Sequence, residues 1–426
     1  MRLLPSLAVA CAALLGLLGT TPPAPAEIVD LPRSFLPEAA TVILVGECTL
    51  AESTAETRGG MRHTEWSHRL RVDRVERDPS GTIRVGDEVT LHSWNDAWTG
   101  GDPPPAYGSG HRGLPAKGER RRVYLRSGAA SPGAADARPR LDVVLPNGWQ
   151  PEGRSIALVG ADDEYRSEVT MPLLAECLTR DAGASTVVCL AADPATGVPD
   201  VANRAHIAST DALRHCDVAV LFMRWREPDA ETLSNLRWFL GSGAPVVGLR
   251  TSTHMLRAAA AGADPAMNDE WPTRVFGQRW ISHHGHDTRT RILAPEESVR
   301  GHPILRGVAG DVVVPSWLYD VEPLPKDCTV LLWGEVAPGT NASPAPARQP
   351  ILWVRERGPE TPAPFAGGRA ARRMAFTTLG HPGDFAEPQV RRLVEQMVLW
   401  AAGDETTIPA DGVKAEAPGY VPPATR

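Results

Sequence analysis

Cysteine is scarce in this chain: six among 426 residues, none at the close spacing that holds a metal. Cys48, Cys177, Cys189, Cys216 and Cys328 each sit in an apolar stretch. Buried thiols, with at most one disulfide, are expected, and none reads as catalytic. A glycine-rich phosphate cradle with its lysine is also missing, which argues against a nucleotide phosphate site. No sustained basic stripe exists: "ERRRVYLR" and "AARRMAF" each lead into an apolar strand, and the net charge is −7. Nucleic acid is therefore not an expected partner. The apolar run from Leu7 to Leu18, about 12 residues, is too short to cross a bilayer. Arg2 before it and Ala24-Pro25-Ala26 after it make residues 1–26 read as an export signal. A periplasmic or extracellular location follows as an expectation, without stable membrane insertion after cleavage; the oligomeric state is left open.

What is present divides into parts. Residues 38–130 carry short alternating runs, "TVILVGECTL", "HRLRVDRVER", "EVTLHSW" and "RRVYLR", with no helical run between them. That pattern predicts a small β-barrel or sandwich of the OB or netrin-like sort. Residues 131–153 read as a linker. From residue 154 strands alternate with helices: "SIALVGA", the amphipathic "EVTMPLLAECLTRDAG", "STVVCLA", "CDVAVLFM", "DAETLSNLRWFLGSG" and "PVVGL". Such alternation predicts an α/β unit, a parallel sheet with helices on both faces, over residues 154–403. Residues 404–426, rich in Ala, Pro and Thr, are expected to be disordered.

In an open α/β sheet ligands bind beyond the carboxyl ends of the strands, so the residues that follow each strand are the candidates. They are Asp162, Asp163, Glu164, Tyr165 and Arg166 after the first, and Arg224, Trp225 and Arg226 after the third. Arg250, Thr251, Ser252 and His254 follow the fourth, and His381 and Asp384 the last. An irregular segment adds His283, His284 and His286. Carboxylates, guanidinium groups and an indole together suit a polyhydroxylated ligand. His283, His284 and His381 are the candidate ligands for a divalent metal such as zinc; metal-free acid–base work is the other reading. Thr251 or Ser252 is expected to cap the helix after the fourth strand.

"ADDEYRSEVTMPLLAECL", "VLFMRWREP", "PVVGLRTSTHML", "WISHHG", "GHPILRGV" and "TTLGHPGDF", in this order, resemble the trehalose-utilisation (ThuA-like) family. The resemblance covers roughly residues 154–403. It implies a flavodoxin-like fold related to class I glutamine amidotransferases. Those enzymes carry Gly-x-Cys-x-Gly at a nucleophile elbow and His-Pro-Glu after the last strand. Here Arg250 stands where the cysteine would be and Gly383 where the glutamate would be, although His381 remains. Amidotransfer through a cysteinyl thioester cannot run without its thiolate.

The resemblance implies catabolism of disaccharides or glycosides oxidised at the 3-position. A ring ketone acidifies the neighbouring C–H, so proton abstraction and elimination, or hydrolysis, are the expected chemistries. His381 or Glu164 would be the base, His283 or His284 an acid or metal ligand, and Arg250 the holder of the oxyanion. Asp162, Asp163, Tyr165, Arg166, Arg224, Trp225, Arg226, Thr251, Ser252, His254 and Asp384 would line the sugar site. The competing expectation is a non-catalytic carbohydrate-binding or sensing protein.

Overall fold

The computed structural model describes residues 31, 33, 36–100, 110–127, 140–257, 266–286, 288–338, 348–358 and 370–426. The expected export signal, residues 1–26, lies outside them.

A single helical turn, α1 (Leu36–Ala39), leads into six strands: β1 (Val42–Arg58), β2 (Met61–Arg77), β3 (Glu88–Trp98), β4 (Arg120–Ser127), β5 (Leu141–Val143) and β6 (Trp149–Pro151). They are ordered β1-β2-β3-β5-β4-β6, and β4 pairs back onto β1, so five of them close a barrel. The period-2 pattern explains the closure: Leu70 and Val72 point inward while Arg69 and Arg71 point out. Val42, Leu44, Leu91, Val123 and Trp149 complete that core. The barrel thus runs on to Pro151, with β5 and β6 inside the stretch 131–153 that reads as a linker in sequence.

The second unit contains β7 (Ser155–Ala161), α2 (Ser167–Ala182), β8 (Ser185–Leu190), β9 (Val218–Met223), α3 (Ala230–Gly241), β10 (Val246–Leu249) and α4 (Ala266–Phe276). It continues with β11 (Ser282–His283), β12 (Thr290–Ile292), β13 (Val312–Val314), β14 (Tyr319–Asp320), β15 (Thr329–Val336), β16 (Gln349–Glu356), β17 (Arg373–Thr377) and α5 (Pro388–Ala401). Nine strands form one sheet in the order β13-β12-β15-β16-β17-β10-β9-β7-β8, and β11 and β14 form a separate ribbon.

The expected parallel, flavodoxin-like α/β fold is not what forms. From β17 to β8 neighbours run parallel, but from β17 through β16, β15 and β12 to β13 every pairing is antiparallel. The molecule is mostly β, with a closed barrel, a large mixed sheet and few helices. The reason is connectivity. A parallel neighbour needs a long crossover, usually a helix, and no described helix lies between β15 and β16 or between β16 and β17. The alternation of residues 154–249 therefore does not extend to the strands after it. Around the parallel strands, α2 and α5 cover one face and α3 and α4 the other.

Residues 404–426 make specific contacts with the second unit. Ile408, Val413 and Ala415 are buried against Leu399. The side chains of Arg391 and Arg392 on α5 donate to the carbonyls of Ala415 and Val413, each at 2.7 Å. These side chains satisfy a backbone that composition alone leaves unpaired. The Tyr420 hydroxyl donates to the Pro382 carbonyl at 2.9 Å, and the Arg426 amide to that of Glu164 at 3.1 Å. The five described cysteines are all free thiols. No helix among the described residues is long and apolar enough to cross a membrane.

Candidate functional site

Every residue of β10 is buried, and at Gly248 a Cβ would lie 2.5 Å from the rings of Phe276 and Phe376, so only glycine fits. The strand ends in a short 3-10 turn, Arg250–His254. Arg250 itself has φ +41°, a left-handed conformation that costs a side-chain-bearing residue about 1–3 kcal/mol. Trp225, just beyond β9, has φ +43°, and Arg166, just beyond β7, has φ +60°. Beyond β17, Gly380 has φ +153°, and a Cβ there would meet that of Arg250 at 2.9 Å. Four neighbouring strand ends are thus bent sharply toward one place.

Arg250 lies at its base, fully buried. It donates through Nη1 to the Thr378 carbonyl and through Nη2 to the Tyr165 hydroxyl, both at 3.0 Å. Its guanidinium carbon sits 4.1 Å from the Tyr165 ring centre and 4.7 Å from that of Tyr319. Nε has no hydrogen-bond partner, and no described carboxylate forms an ion pair with the group. A desolvated cation without a counter-charge is costly, and the site keeps one.

Above it, Glu164 is a quarter exposed; its carboxylate lies 2.9 Å from Nε of Arg224. That approach is off the N–H axis, so it is a charge contact rather than a hydrogen bond. Arg224 donates to Asp163 at 2.9 Å and stacks over Trp225 at 4.0 Å. Burial pushes the Tyr165 phenol up, Arg250 pulls it down and Glu164 adds to the rise, so the three groups act on one another.

Asp162 belongs to the frame. It is fully buried and accepts from the amides of Glu164, at 2.8 Å, and of Tyr165, and from the Thr251 hydroxyl at 2.6 Å. Ser252 donates to the Leu221 carbonyl at 2.6 Å and accepts from the Met223 amide at 3.3 Å. Neither hydroxyl caps the turn, which has no side-chain cap. The capping expectation is corrected: both hydroxyls tie the elbow to the ends of β7 and β9.

His381 begins the 3-10 turn Pro382–Ala386, and its Nδ1 accepts the Gly383 amide at 2.9 Å. A backbone amide can only donate, so in the neutral ring the proton is on Nε2. Burial lowers the affinity of the imidazole for a second proton; Asp384 opposes this, Arg250 reinforces it and Glu164 opposes it. Asp384 is fully buried and holds the turn: it accepts from the amides of Gly380, His381 and Ser316 and from the Ser316 hydroxyl. Its lone pairs are spent inside the protein.

The histidine segment enters from the ribbon, where His283 pairs with Tyr319, the residue stacked on Arg250. The His283 ring meets His286 at 4.6 Å and Trp317 at 5.0 Å. Its proton affinity is lowered by burial first, then by His286, with Arg250 and Glu164 also felt. His283 and His381 therefore share the field of the same pair, Glu164 and Arg250. His284 hangs on the Leu318 carbonyl by its amide, and its Nε2 is buried without a partner. Among the described residues no three His, Cys, Asp or Glu side chains are grouped to hold a metal ion.

No family model and no curated protein matches the chain. Among solved structures, it is similar to a protein described as ThuA-like from Parabacteroides merdae ATCC 43184, at 16% identity and TM-score 0.38. That likeness covers 59% of this chain and 90% of that one. The mmIFT52 N-terminal domain is similar at 10% identity and TM-score 0.29, over 53% of this chain and 86% of that one. Both likenesses are distant, and the chemistry rests on the residues.

The structure brings Glu164, Tyr165, Arg250, His283 and His381 together, with Asp163, Arg224 and Trp225 at one side and His254 behind Trp225. It places the other candidates elsewhere. Arg166 turns outward to Glu168 at 2.8 Å, and Arg226 is a buried clamp on the carbonyls of Val201 and Asn203. Asp162, Thr251, Ser252 and Asp384 are interior braces. Tyr319, Trp280 and Trp317 were not among the sequence candidates. Trp280 stands two residues before "SHHGH", a signal that was available; Tyr319 is buried in a two-residue strand and left none.

Proposed function

We propose that this site performs proton abstraction next to a ring ketone of an oxidised glycoside, with Glu164 as the base. The observation that carries the reading is the tautomer of His381. With Nδ1 occupied by the Gly383 amide, the neutral ring offers Nε2–H, a donor, and cannot accept a proton there. Of the two bases the sequence offers, Glu164 remains. His381 would instead polarise the ketone oxygen as a neutral donor, a role a low proton affinity suits.

The chemistry follows for a 3-keto-glycoside. Glu164 takes the proton from C2, the C–H electrons move into a C2–C3 double bond, and the ketone oxygen becomes an enolate. His381 donates to that oxygen. Arg250, below Tyr165, supplies an unneutralised positive charge in a desolvated place, where charge is most effective. The enolate then re-forms the ketone, the C2–C3 pair moves to make a C1–C2 double bond as the C1–O bond breaks, and the leaving oxygen receives the proton that Glu164 took up. Trp225, Trp280 and Trp317 offer indole faces to sugar C–H groups.

Purified protein incubated with 3-keto-trehalose or 3-keto-glucosides, with and without added divalent metal, tests the reading. Release of the leaving sugar by the native chain and at least a hundredfold loss in Glu164→Gln supports it. Binding of these compounds without any turnover would instead support a sugar-binding protein.

A further inference from the structure

Glu164 and His381 stand beyond strands that are not neighbours. The first follows β7 and the second β17, with β9 and β10 between them in the sheet. Their spacing therefore depends on what ties the two loops together. One tie runs beneath the site, where Arg250 holds the Thr378 carbonyl at the end of β17 and the Tyr165 hydroxyl beside Glu164. A second tie runs around the outside. The Tyr420 hydroxyl donates to the carbonyl of Pro382, the residue after His381, at 2.9 Å. Further along, the Arg426 amide donates to the carbonyl of Glu164 itself at 3.1 Å. Side chains fix this course. Arg426 donates to Glu168, in the first turn of α2, at 2.6 Å, and Glu168 also accepts from Arg166 at 2.8 Å. Arg166 is left-handed at φ +60°, a conformation that persists only where its surroundings impose it. It also reaches the Ala424 carbonyl at 3.4 Å. Tyr420 packs against the core cluster that contains Phe385, whereas Glu416, Pro418, Gly419, Val421 and Pro422 are exposed. Hydrogen bonds to the two loops, more than burial, hold this segment in place.

We infer that residues 416–426 are a strap that sets the distance between the base and the polarising donor, with Tyr420 and Arg426 as its positioning residues. The inference rests on the reading given under Proposed function. Neither side chain reaches the reacting atoms; each acts through the backbone of a residue that does, or of its neighbour. Proton abstraction needs both groups in register with one ring, and a shift of about 1 Å can cost about a hundredfold in rate. Arg250 fixes the loops at the buried end, and the strap fixes them at the rim.

Amide hydrogen exchange, followed by mass spectrometry on the full chain, Tyr420→Phe, Arg426→Ala and a chain stopped after Glu416, tests the strap without substrate. The amides of Glu164, Tyr165, Gly380, His381 and Gly383 are all hydrogen-bonded, so their exchange reports loop opening. Tyr420→Phe should speed exchange in residues 380–386 about fivefold, Arg426→Ala should do the same in residues 162–168, and the shortened chain should speed both. Exchange in α5 and the barrel should not change. Unchanged exchange in the two loops, or equally faster exchange throughout, overturns the inference. Kinetics with 3-keto-glucosides then ties the strap to the reaction. The shortened chain should lose about tenfold or more in kcat with KM little changed, and a native kcat there also overturns the inference. If the native chain turns these compounds over but the loops exchange alike in every variant, the reading of the reaction survives alone. If the loops loosen as expected while the native chain turns over none of them, the tie between the loops stands and the reaction is wrong.

Discussion

The Gly383 amide donates to Nδ1 of His381 across 2.9 Å, and this single bond divides the labour of the site. A histidine whose Nδ1 is occupied by a fixed donor presents N–H, not a lone pair, to its ligand. His381→Gln, which keeps an N–H donor, should therefore retain far more activity than His381→Ala. Steady-state kinetics checks it: losses of about tenfold against about a hundredfold or more in kcat, with KM little changed, are expected. Equal losses would point to a proton-accepting role.

Arg250 holds the Thr378 carbonyl and the Tyr165 hydroxyl with two nitrogens of one planar fork. Lysine cannot reproduce that geometry. Arg250→Lys should fold, retain the charge and lose about ten- to a hundredfold in kcat, because Tyr165 is no longer fixed beside Glu164.

The Thr251 hydroxyl is one of three donors to the buried carboxylate of Asp162. Thr251→Val keeps the shape and removes the donor, leaving that acceptor unpaired, at a cost of about 1–3 kcal/mol. Denaturant unfolding reads this directly. A neutral result would show that water replaces the hydroxyl.

These braces explain how much could be read from the chain. Strand runs such as "SIALVGA" and "PVVGL" mark β7 and β10 because continuous apolar residues end at a polar turn, and the left-handed Arg250 sits where an elbow was expected. Polar residues at strand ends, however, look alike in sequence whether they face a ligand or the interior. Asp162 and Asp384 were candidates for the ligand, yet each is fully buried and spends its oxygens on backbone amides and a neighbouring hydroxyl. The antiparallel half of the sheet was equally invisible, because "QPILWVRE" has the buried-strand texture of a parallel strand and its direction is set by a connection, not by composition. The contacts of the tail are invisible in its composition because its hydrogen-bond partners, Arg391 and Arg392, are on another element.

Burial pushes His68 and His302 down to about 4 and His254 to about 3, against 6.5 for an unburied ring. As pH falls below 6.5 the unfolded chain takes up protons that the folded chain refuses. Stability present above that value should be lost between about pH 6.5 and 4. Thermal melts should show the fall in Tm across that window, and His68→Phe should make it shallower. The same pH dependence of Tm in His68→Phe as in the native chain would contradict the burial of His68.

Glu395 on α5 shows the opposite sign. It is fully buried, neither oxygen has a partner, and burial, with Asp181 nearby, pushes its carboxyl up to about 8. Between about pH 4.5 and 8 the unfolded carboxyl is ionised while the folded one holds its proton, so stability should fall as pH rises through this range. Glu395→Met should raise Tm, more at pH 8 than at pH 5. A gain of the same size at both would mean that the carboxyl does not titrate as the burial implies.

Proton exchange at carbon separates the base from everything else in the site. A 3-keto-glucoside is incubated with the protein in heavy water, and loss of the C2–H signal is followed by proton NMR. Enzyme-dependent exchange is expected with the native chain, none above background with Glu164→Gln, and slowed but measurable exchange with His381→Gln. Exchange by Glu164→Gln at the native rate, or none by the native chain while the ligand binds, would contradict it.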